Sequence, residues 1–171
     1  AMMADAYARL GQNLSCCMVT SGPGATNLIT GIACSWFDSI PALHITGQVN
    51  SYEKQGAQKG TKNTRQIGFQ ETDIVSITKP ITKFSYQLKN PNEIRYILEK
   101  ACYIAQNGRP GPVVIDIPMN FQKAEIQESK LKKFKPPIVD IKKSLLKKNV
   151  KIFTNFLKKS KSPVALLGGG I

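Results

Sequence analysis

The sequence predicts an α/β fold: a three-layer domain with a mostly parallel sheet, followed by the start of a second α/β domain. Three observations predict it. Short apolar runs alternate along the chain with stretches of helical period. The runs Ala42–Thr46 and Val113–Ile117 are too short for helices and read as buried strands of a parallel sheet. The turn Gly22-Pro23-Gly24 follows the first run, and the carboxyl ends of parallel strands are where ligands usually bind.

The elements follow in order. Residues 1–10 are small or apolar at most positions, with Gly11 placed to end a helix. Leu14–Val19 reads as a strand, and residues 25–37 have helical spacing through Leu28, Ile29, Ile32, Ala33 and Trp36. After the strand at Ala42–Thr46, residues 47–68 are polar, contain glycine and keep no period, the mark of a loop with a task. Thr82–Leu88 is the next strand. Pro91 then opens a helix through Ile94, Ile97, Leu98, Ala101 and Ile104 that ends near Gly108, ahead of the strand Val113–Ile117. Beyond Pro118 the composition turns to Gln, Glu and Lys. An amphipathic helix is expected over 138–159, and a new strand over Val164–Leu167 leads into Gly168, Gly169 and Gly170. The chain accordingly divides into a domain at residues 1–120, a basic linker and helix at 121–160, and at 161–171 the start of a second domain, cut short.

The formal net charge is +13, but it is not spread evenly. Twelve lysines and one acid, Asp140, lie between Lys130 and Lys161, so eleven of those charges sit there and the remainder is nearly neutral. That stretch lacks interleaved arginines and aromatics, so it reads as a solvated linker or helix face and not as a nucleic-acid surface. The competing reading, a basic nucleic-acid-binding module, requires strongly salt-dependent binding that is lost when this stretch is removed. No apolar run approaches the roughly 18 residues of a membrane span, and no export signal is recognisable, so the expectation is a cytoplasmic protein with no membrane partner. Cys16, Cys17, Cys34 and Cys102 fit no metal-ligand spacing and read as small buried hydrophobes in a reducing compartment. His44, the single histidine, lies inside an apolar strand and reads as a core residue.

On spacing alone the Gly22-Pro23-Gly24 turn has two readings. A strand, a glycine turn and a helix can cradle a phosphate. The dinucleotide fingerprint, however, wants a third glycine where Asn27 stands, and Pro23 removes an amide, so a tight turn capped by Ser21 or Thr20 competes equally.

The longer string Val19-Thr20-Ser21-Gly22-Pro23-Gly24-Ala25-Thr26-Asn27, followed by Asp38-Ser39-Ile40-Pro41, resembles the pyrimidine-binding domain of acetolactate synthase and its thiamine-diphosphate-dependent relatives. Phe69-Gln70-Glu71-Thr72-Asp73, Gly108-Arg109-Pro110-Gly111-Pro112-Val113 and Asp116-Ile117-Pro118 resemble further family blocks in the same order, and residues 163–171 resemble the entry to the central domain. The resemblance implies that residues 1–120 are a pyrimidine-binding domain lacking its first strand. Gly22, Pro23, Gly24 and Asn27 would line the aminopyrimidine of thiamine diphosphate, and Phe69, Gln70 and Met119 would face substrate. Arg109, Gly168, Gly169 and Gly170 match positions that contact FAD. No catalytic residue is expected within the chain, because the activating glutamate belongs just upstream of Ala1. Magnesium would be held by a domain outside the chain.

The activity so implied is decarboxylation of a 2-keto acid such as pyruvate, with transfer of the two-carbon unit to an acceptor carbonyl, in a homodimer or tetramer with a small regulatory subunit. The 171-residue chain alone is expected to be inactive. Two features depart from the pattern. Met119 stands where acetolactate synthases usually carry lysine, and residues 51–65 form a long insert. Either is neutral or points to another thiamine-diphosphate decarboxylase or carboligase with a different acceptor. Glu71 is read as a structural carboxylate paired with a basic group, not as the missing acid.

Overall fold

A computed structural model describes residues 1–11, 13–138 and 143–168. Two compact units divide at residue 134, Ala1–Phe134 and Lys135–Ile171. In the first, helix α1 (Met2–Gly11) leads into strand β1 (Ser15–Val19). The short helix α2 (Pro23–Thr26) and helix α3 (Ile29–Phe37) then lead into strand β2 (Ala42–Gln48). Helix α4 (Ile74–Thr78), strand β3 (Phe84–Gln87), helix α5 (Ile94–Gln106), strand β4 (Val113–Pro118) and the one-turn helix α6 (Met119–Gln122) complete it. The strands form one sheet in the order β1-β2-β4-β3, and every pairing is parallel.

The register makes the layers. Leu43 pairs with Val113 and Ile45 with Ile115, and these residues pack on Ile97, Ala101 and Ala105 of α5. The opposite face presents Val114 to Leu28 and Ile32, with Cys17 and Val19 partly buried beside them. Central strands buried on both sides are mostly apolar, which is why β2 and β4 read as short buried runs despite His44, Thr46 and Asp116 within them. A large-to-small change at Ile115, which is fully buried, costs about 2–5 kcal/mol.

Polar caps fix the helix ends. The Glu93 carboxylate accepts from the backbone N–H of Lys89 at 2.6 Å and of Asn90 at 3.2 Å, while the Asn90 side chain accepts from Asn92 N–H at 2.9 Å. At the far end of α5 the Lys83 ammonium donates to the carbonyls of Ile104 and Asn107, satisfying acceptors the helix leaves open. Between α1 and α3, Asp5 accepts from Ser35 Oγ at 2.7 Å and from Arg9 Nε at 2.5 Å. Burial works to raise the pKa of Asp5, and those hydrogen bonds, with the charge of Arg9, outweigh it and hold the carboxyl below its ordinary value.

Several expectations need adjustment. The helix expected from residue 25 arrives as two pieces, because Asn27 and Leu28 close a turn between α2 and α3. Strand β2 runs on to Gln48, inside the stretch expected to be loop. Helix α4 has five residues, too few to show a period, and is started by Asp73, which accepts from Ser76 N–H at 3.2 Å. The cysteines are not uniformly buried: Cys16 and Cys34 are exposed, because β1 is an edge strand and Cys34 lies on the outer side of α3.

The second unit contains helix α7 (Lys143–Lys159), whose Leu145, Leu146, Phe153 and Phe156 are exposed. Val164–Leu167 is irregular and not a strand, since a strand exists only as a partner in a ladder and none pairs with it among the described residues. Gly169 and Gly170 lie outside the described residues. No helix among the described residues is long and apolar enough to cross a membrane.

His44 is fully buried opposite Cys17, whose sulfur lies 3.1 Å from Nδ1; Nε2 has no partner among the described residues. Burial lowers its pKa from 6.5 to about 4. Between those values the unfolded chain binds a proton that the folded chain excludes, so stability is full above the unfolded value and falls as pH drops toward the folded one. Urea unfolding of the 171-residue chain is expected to lose about 3 kcal/mol over that window, and His44→Leu to flatten the slope. An unchanged slope in the variant would assign the pH dependence elsewhere.

Candidate functional site

All four strands point the same way, so the connections leaving β1, β2 and β4 gather at one end of the sheet. Gly22, two residues past Thr20 at the exit of β1, has φ 60° and ψ −126°, a conformation essentially reserved for glycine. A Cβ there would sit 2.6 Å from Gln70 Cβ and 3.0 Å from the Gln70 carbonyl oxygen. Gln70 itself has φ 61°. Two residues 48 positions apart thus adopt left-handed backbone conformations against each other. Pro23 occupies the first turn of α2, where its missing N–H costs nothing, and Gly24 packs where a Cβ would meet Thr20 Cγ2 at 2.7 Å. The motif therefore serves close backbone approach. Asn27 is exposed just beyond α2.

The segment carrying Gln70 is held at several points. The Glu71 carboxylate accepts from Gln55 N–H at 2.6 Å and Ile67 N–H at 2.9 Å. The Gln55 amide in turn donates to the carbonyls of Lys62 and Thr64. Glu71 is structural, as expected, but it binds backbone amides and not a basic side chain, and it folds the 51–65 insert onto the Gln70 segment. Gly68 leaves room for Val49, which a Cβ would meet at 2.6 Å. Phe69 is 83% exposed, while Gln70 is half-buried against Gly22.

Behind this segment lies a polar cluster that the sequence reading missed. Asp116, fully buried in β4, accepts from Thr46 Oγ1 at 2.7 Å, Gln48 Nε2 at 3.0 Å and Gln87 Nε2 at 2.7 Å. Burial pushes its carboxyl up, and the three donors pull it part of the way back. Lys54 donates to Gln87 Oε1 at 2.6 Å, bringing a positive charge to the cluster without touching the carboxylate. The available signal was a lone acid in an apolar strand, set opposite polar residues at alternate positions of β2 and β3.

On the other side of the same exits is a cavity of about 770 Å³. Thr20, Ser21, Gly47, Gln48, Met119 and Gln122 form its polar and sulfur-bearing lining over an apolar wall from Ile45, Leu98 and Ile117. The lining bears no charged side chain, which suits a flat, neutral heteroaromatic ring better than an anion. Met119 opens α6, and Asn120 fixes that helix to the start of the insert, accepting from Ser51 N–H at 2.9 Å and donating to Ser51 Oγ at 3.0 Å. Arg109 lies elsewhere. It precedes β4, donates to Ser39 Oγ at 2.7 Å ahead of β2, and so belongs to the amino ends of the strands. There it lines a separate cavity of about 360 Å³ with Trp36, Phe37, Lys83 and Pro110. The structure therefore brings Gly22 to Gln70, and Met119 to the residues just before Gly22, but keeps Arg109 apart from both.

Comparison with known proteins gives this arrangement a family. Residues 1–77 match the sequence model described as "Thiamine pyrophosphate enzyme, N-terminal TPP binding domain". The chain is 38% identical over 168 residues to the acetolactate synthase large subunit of Lactococcus lactis, covering 98% of this chain and 28% of that protein. It is 41% identical over 177 residues to the acetolactate synthase large subunit of Haemophilus influenzae, again covering 98% and 28%. With the acetolactate synthase of Arthrospira platensis identity reaches 47% over 123 residues, 72% of this chain and 20% of that protein. Residues 1–77 belong to the N-terminal thiamine-diphosphate-binding domain family. The chain spans about a quarter of the length of the relatives it matches (28% for Lactococcus lactis). The matched stretch, residues 1–77, contains Gly22–Asn27, Gln48, Phe69 and Gln70; Met119, Arg109 and Asp116 fall after it.

Because Gly22 is constrained both by its backbone angles and by Gln70, Gly22→Ala is expected to cost at least about 2 kcal/mol. A urea-unfolding midpoint equal to wild type would show that the Gln70 contact is not made in solution.

Proposed function

We propose that this chain supplies the pyrimidine-binding part of an acetolactate synthase-like enzyme that decarboxylates a 2-keto acid such as pyruvate and passes the two-carbon unit to an acceptor carbonyl. The observation that carries the reading is the apposition of Gly22 and Gln70 beside an uncharged cavity at the carboxyl ends of a parallel sheet. Gly22, Pro23, Gly24 and Asn27 line the aminopyrimidine, and Phe69, Gln70 and Met119 face the substrate. When bound, thiamine diphosphate supplies the carbon nucleophile and electron sink that loss of carbon dioxide requires.

The work of this chain is positional. The glycines bring backbone close to the ring, the apolar wall excludes water from it, and Gln70 presents an amide to a substrate carbonyl or carboxylate. The proton-moving glutamate and the magnesium site belong to parts of the longer protein outside these residues. That protein is proposed to be a cytoplasmic homodimer or tetramer with a small regulatory subunit. FAD is proposed as a further cofactor at Arg109, where two cations and the rings of Trp36 and Phe37 suit an anionic aromatic ligand.

Met119 favours a second reading within the same chemistry. A thioether offers no charge-assisted hydrogen bond where a lysine would, so a different acceptor, and hence another carboligase or decarboxylase, follows if that position touches substrate. The nucleic-acid alternative has no support in the fold or the relatives and is not carried forward.

The test is turnover of pyruvate by the complete protein containing this chain, supplied with thiamine diphosphate and magnesium. Carbon dioxide release and acetolactate formation are expected, with Gln70→Ala lowering kcat/KM by roughly tenfold or more. Decarboxylation without acetolactate would select the second reading. Absence of decarboxylation with any 2-keto acid would overturn both, and full activity of Gln70→Ala would remove that residue from the substrate.

A further inference from the structure

The Gln70 segment is strained, and what keeps it in place is not its own sequence. Its amino-terminal end rests on Val49 through the space left at Gly68. Its carboxyl-terminal end is bound by Gln48, whose Nε2 donates to the Thr72 carbonyl at 2.7 Å. The other Nε2 hydrogen goes to Asp116 Oδ2 at 3.0 Å, and Oε1 accepts from Val49 N–H at 3.0 Å. Every polar contact of this amide is committed, and the residue is 4% exposed. A buried group so fully paired has one orientation, set by the carboxylate behind it. Asp116 is itself locked by Thr46 and Gln87.

We propose that Gln48 is the positioning residue of this site: anchored by Asp116 in β4, it fixes the Thr72 end of the segment and thereby sets where Gln70 meets Gly22. Although its side chain also borders the cavity at the strand exits, its polar atoms are bound to Thr72, Asp116 and Val49, and it acts through Gln70. The meaning of this for catalysis rests on the function proposed above; the mechanical statement does not.

Charge at this position decides the sharpest experiment. The charged groups near the pair are Lys54 after β2, Lys89 after β3, and Glu71 and Asp73 on the segment itself, with His44 further back on β2. Helices α4 and α6 contribute no titratable side chain. Gln48→Glu would place a second carboxyl against Asp116, and two buried carboxyls at hydrogen-bond distance share one proton. With a proton on each carboxyl, the introduced acid donates to the Thr72 carbonyl while Asp116 donates back to it, and the contact survives; as protons are lost, the one that remains is held between the two carboxyls or the two charges repel, and the segment loses its donor.

Hydrogen exchange of the 171-residue chain, followed by mass spectrometry from pH 5 to 8 and corrected for intrinsic rates, reads this directly. Wild type is expected to protect residues 66–73 equally across the range. Gln48→Glu is expected to match it near pH 5 and to lose about tenfold protection or more toward pH 8, with the β2 and β4 amides unaffected. Gln48→Met is expected to lose it at every pH. Equal exchange of residues 66–73 in wild type and both variants overturns the proposal. So does a loss spread evenly over the sheet, which would make Gln48 merely part of the core. In the complete enzyme Gln48→Met is expected to lower kcat about tenfold. If the wild-type enzyme turns over no 2-keto acid while the exchange pattern holds, the function fails and the Gln48 assignment stands; an active wild type with unaltered exchange in the variants gives the converse.

Discussion

Asp116 forms no ion pair among the described residues, yet it lies at full burial where three parallel strands come to an end. A carboxylate in that position is tolerable only if donors surround it, and the two neighbouring strands supply them, β2 through Thr46 and Gln48 and β3 through Gln87. Strand order is thus more than a packing solution. Placing β4 between β2 and β3 is what allows one side chain to collect hydrogen bonds from both neighbours. A slip of one residue in β4 would send Asp116 to the α5 face, among Leu43, Ile97 and Ala101, where no donor waits.

From that anchor the site is built outward by backbone and amide contacts. Gln48 carries the position of the carboxylate to Thr72, Glu71 ties in the insert, and Gln70 is left against Gly22 in a conformation that neither residue would hold alone. The distribution of charge follows the same plan. The cavity at the strand exits is uncharged, while the cationic pair Lys83 and Arg109 sits at the amino ends with Trp36 and Phe37. A cofactor with a neutral ring and an ionic tail is served by such a division only if another part of the protein takes the tail, which is consistent with a chain spanning 28% of its Lactococcus lactis relative.

The layered α/β architecture was legible because burial on both faces leaves β2 and β4 as short, mostly apolar runs, and because Pro91 and Gly11 mark helix ends plainly. The Gly22-Pro23-Gly24 turn was legible as a turn. Its purpose was not, since the reason for glycine at position 22 lies at Gln70, and no local pattern links them. Glu71 showed the same limit. Its class was readable, but its partners are backbone amides of Gln55 and Ile67 that no charge pattern reveals. The strand expected at Val164–Leu167 failed for a different reason: apolar composition permits a strand but does not supply the ladder partner that makes one.

The polar cluster was the most informative feature left unread, and its signature was present. His44, Thr46 and Gln48 alternate along β2, Ser85 and Gln87 along β3, and Asp116 interrupts β4. Taken one strand at a time, each is a blemish in an apolar run. Aligned by the parallel register, which pairs Thr46 and Gln87 with Asp116, they fall on one face, and Thr46, Gln48, Gln87 and Asp116 close on one another. Nothing in the packing of a core demands this, for apolar residues of similar size would fill the same volume without the cost of desolvating an acid. The cost is offset only if the orientation it enforces is needed, and what it orients is the segment bearing Gln70.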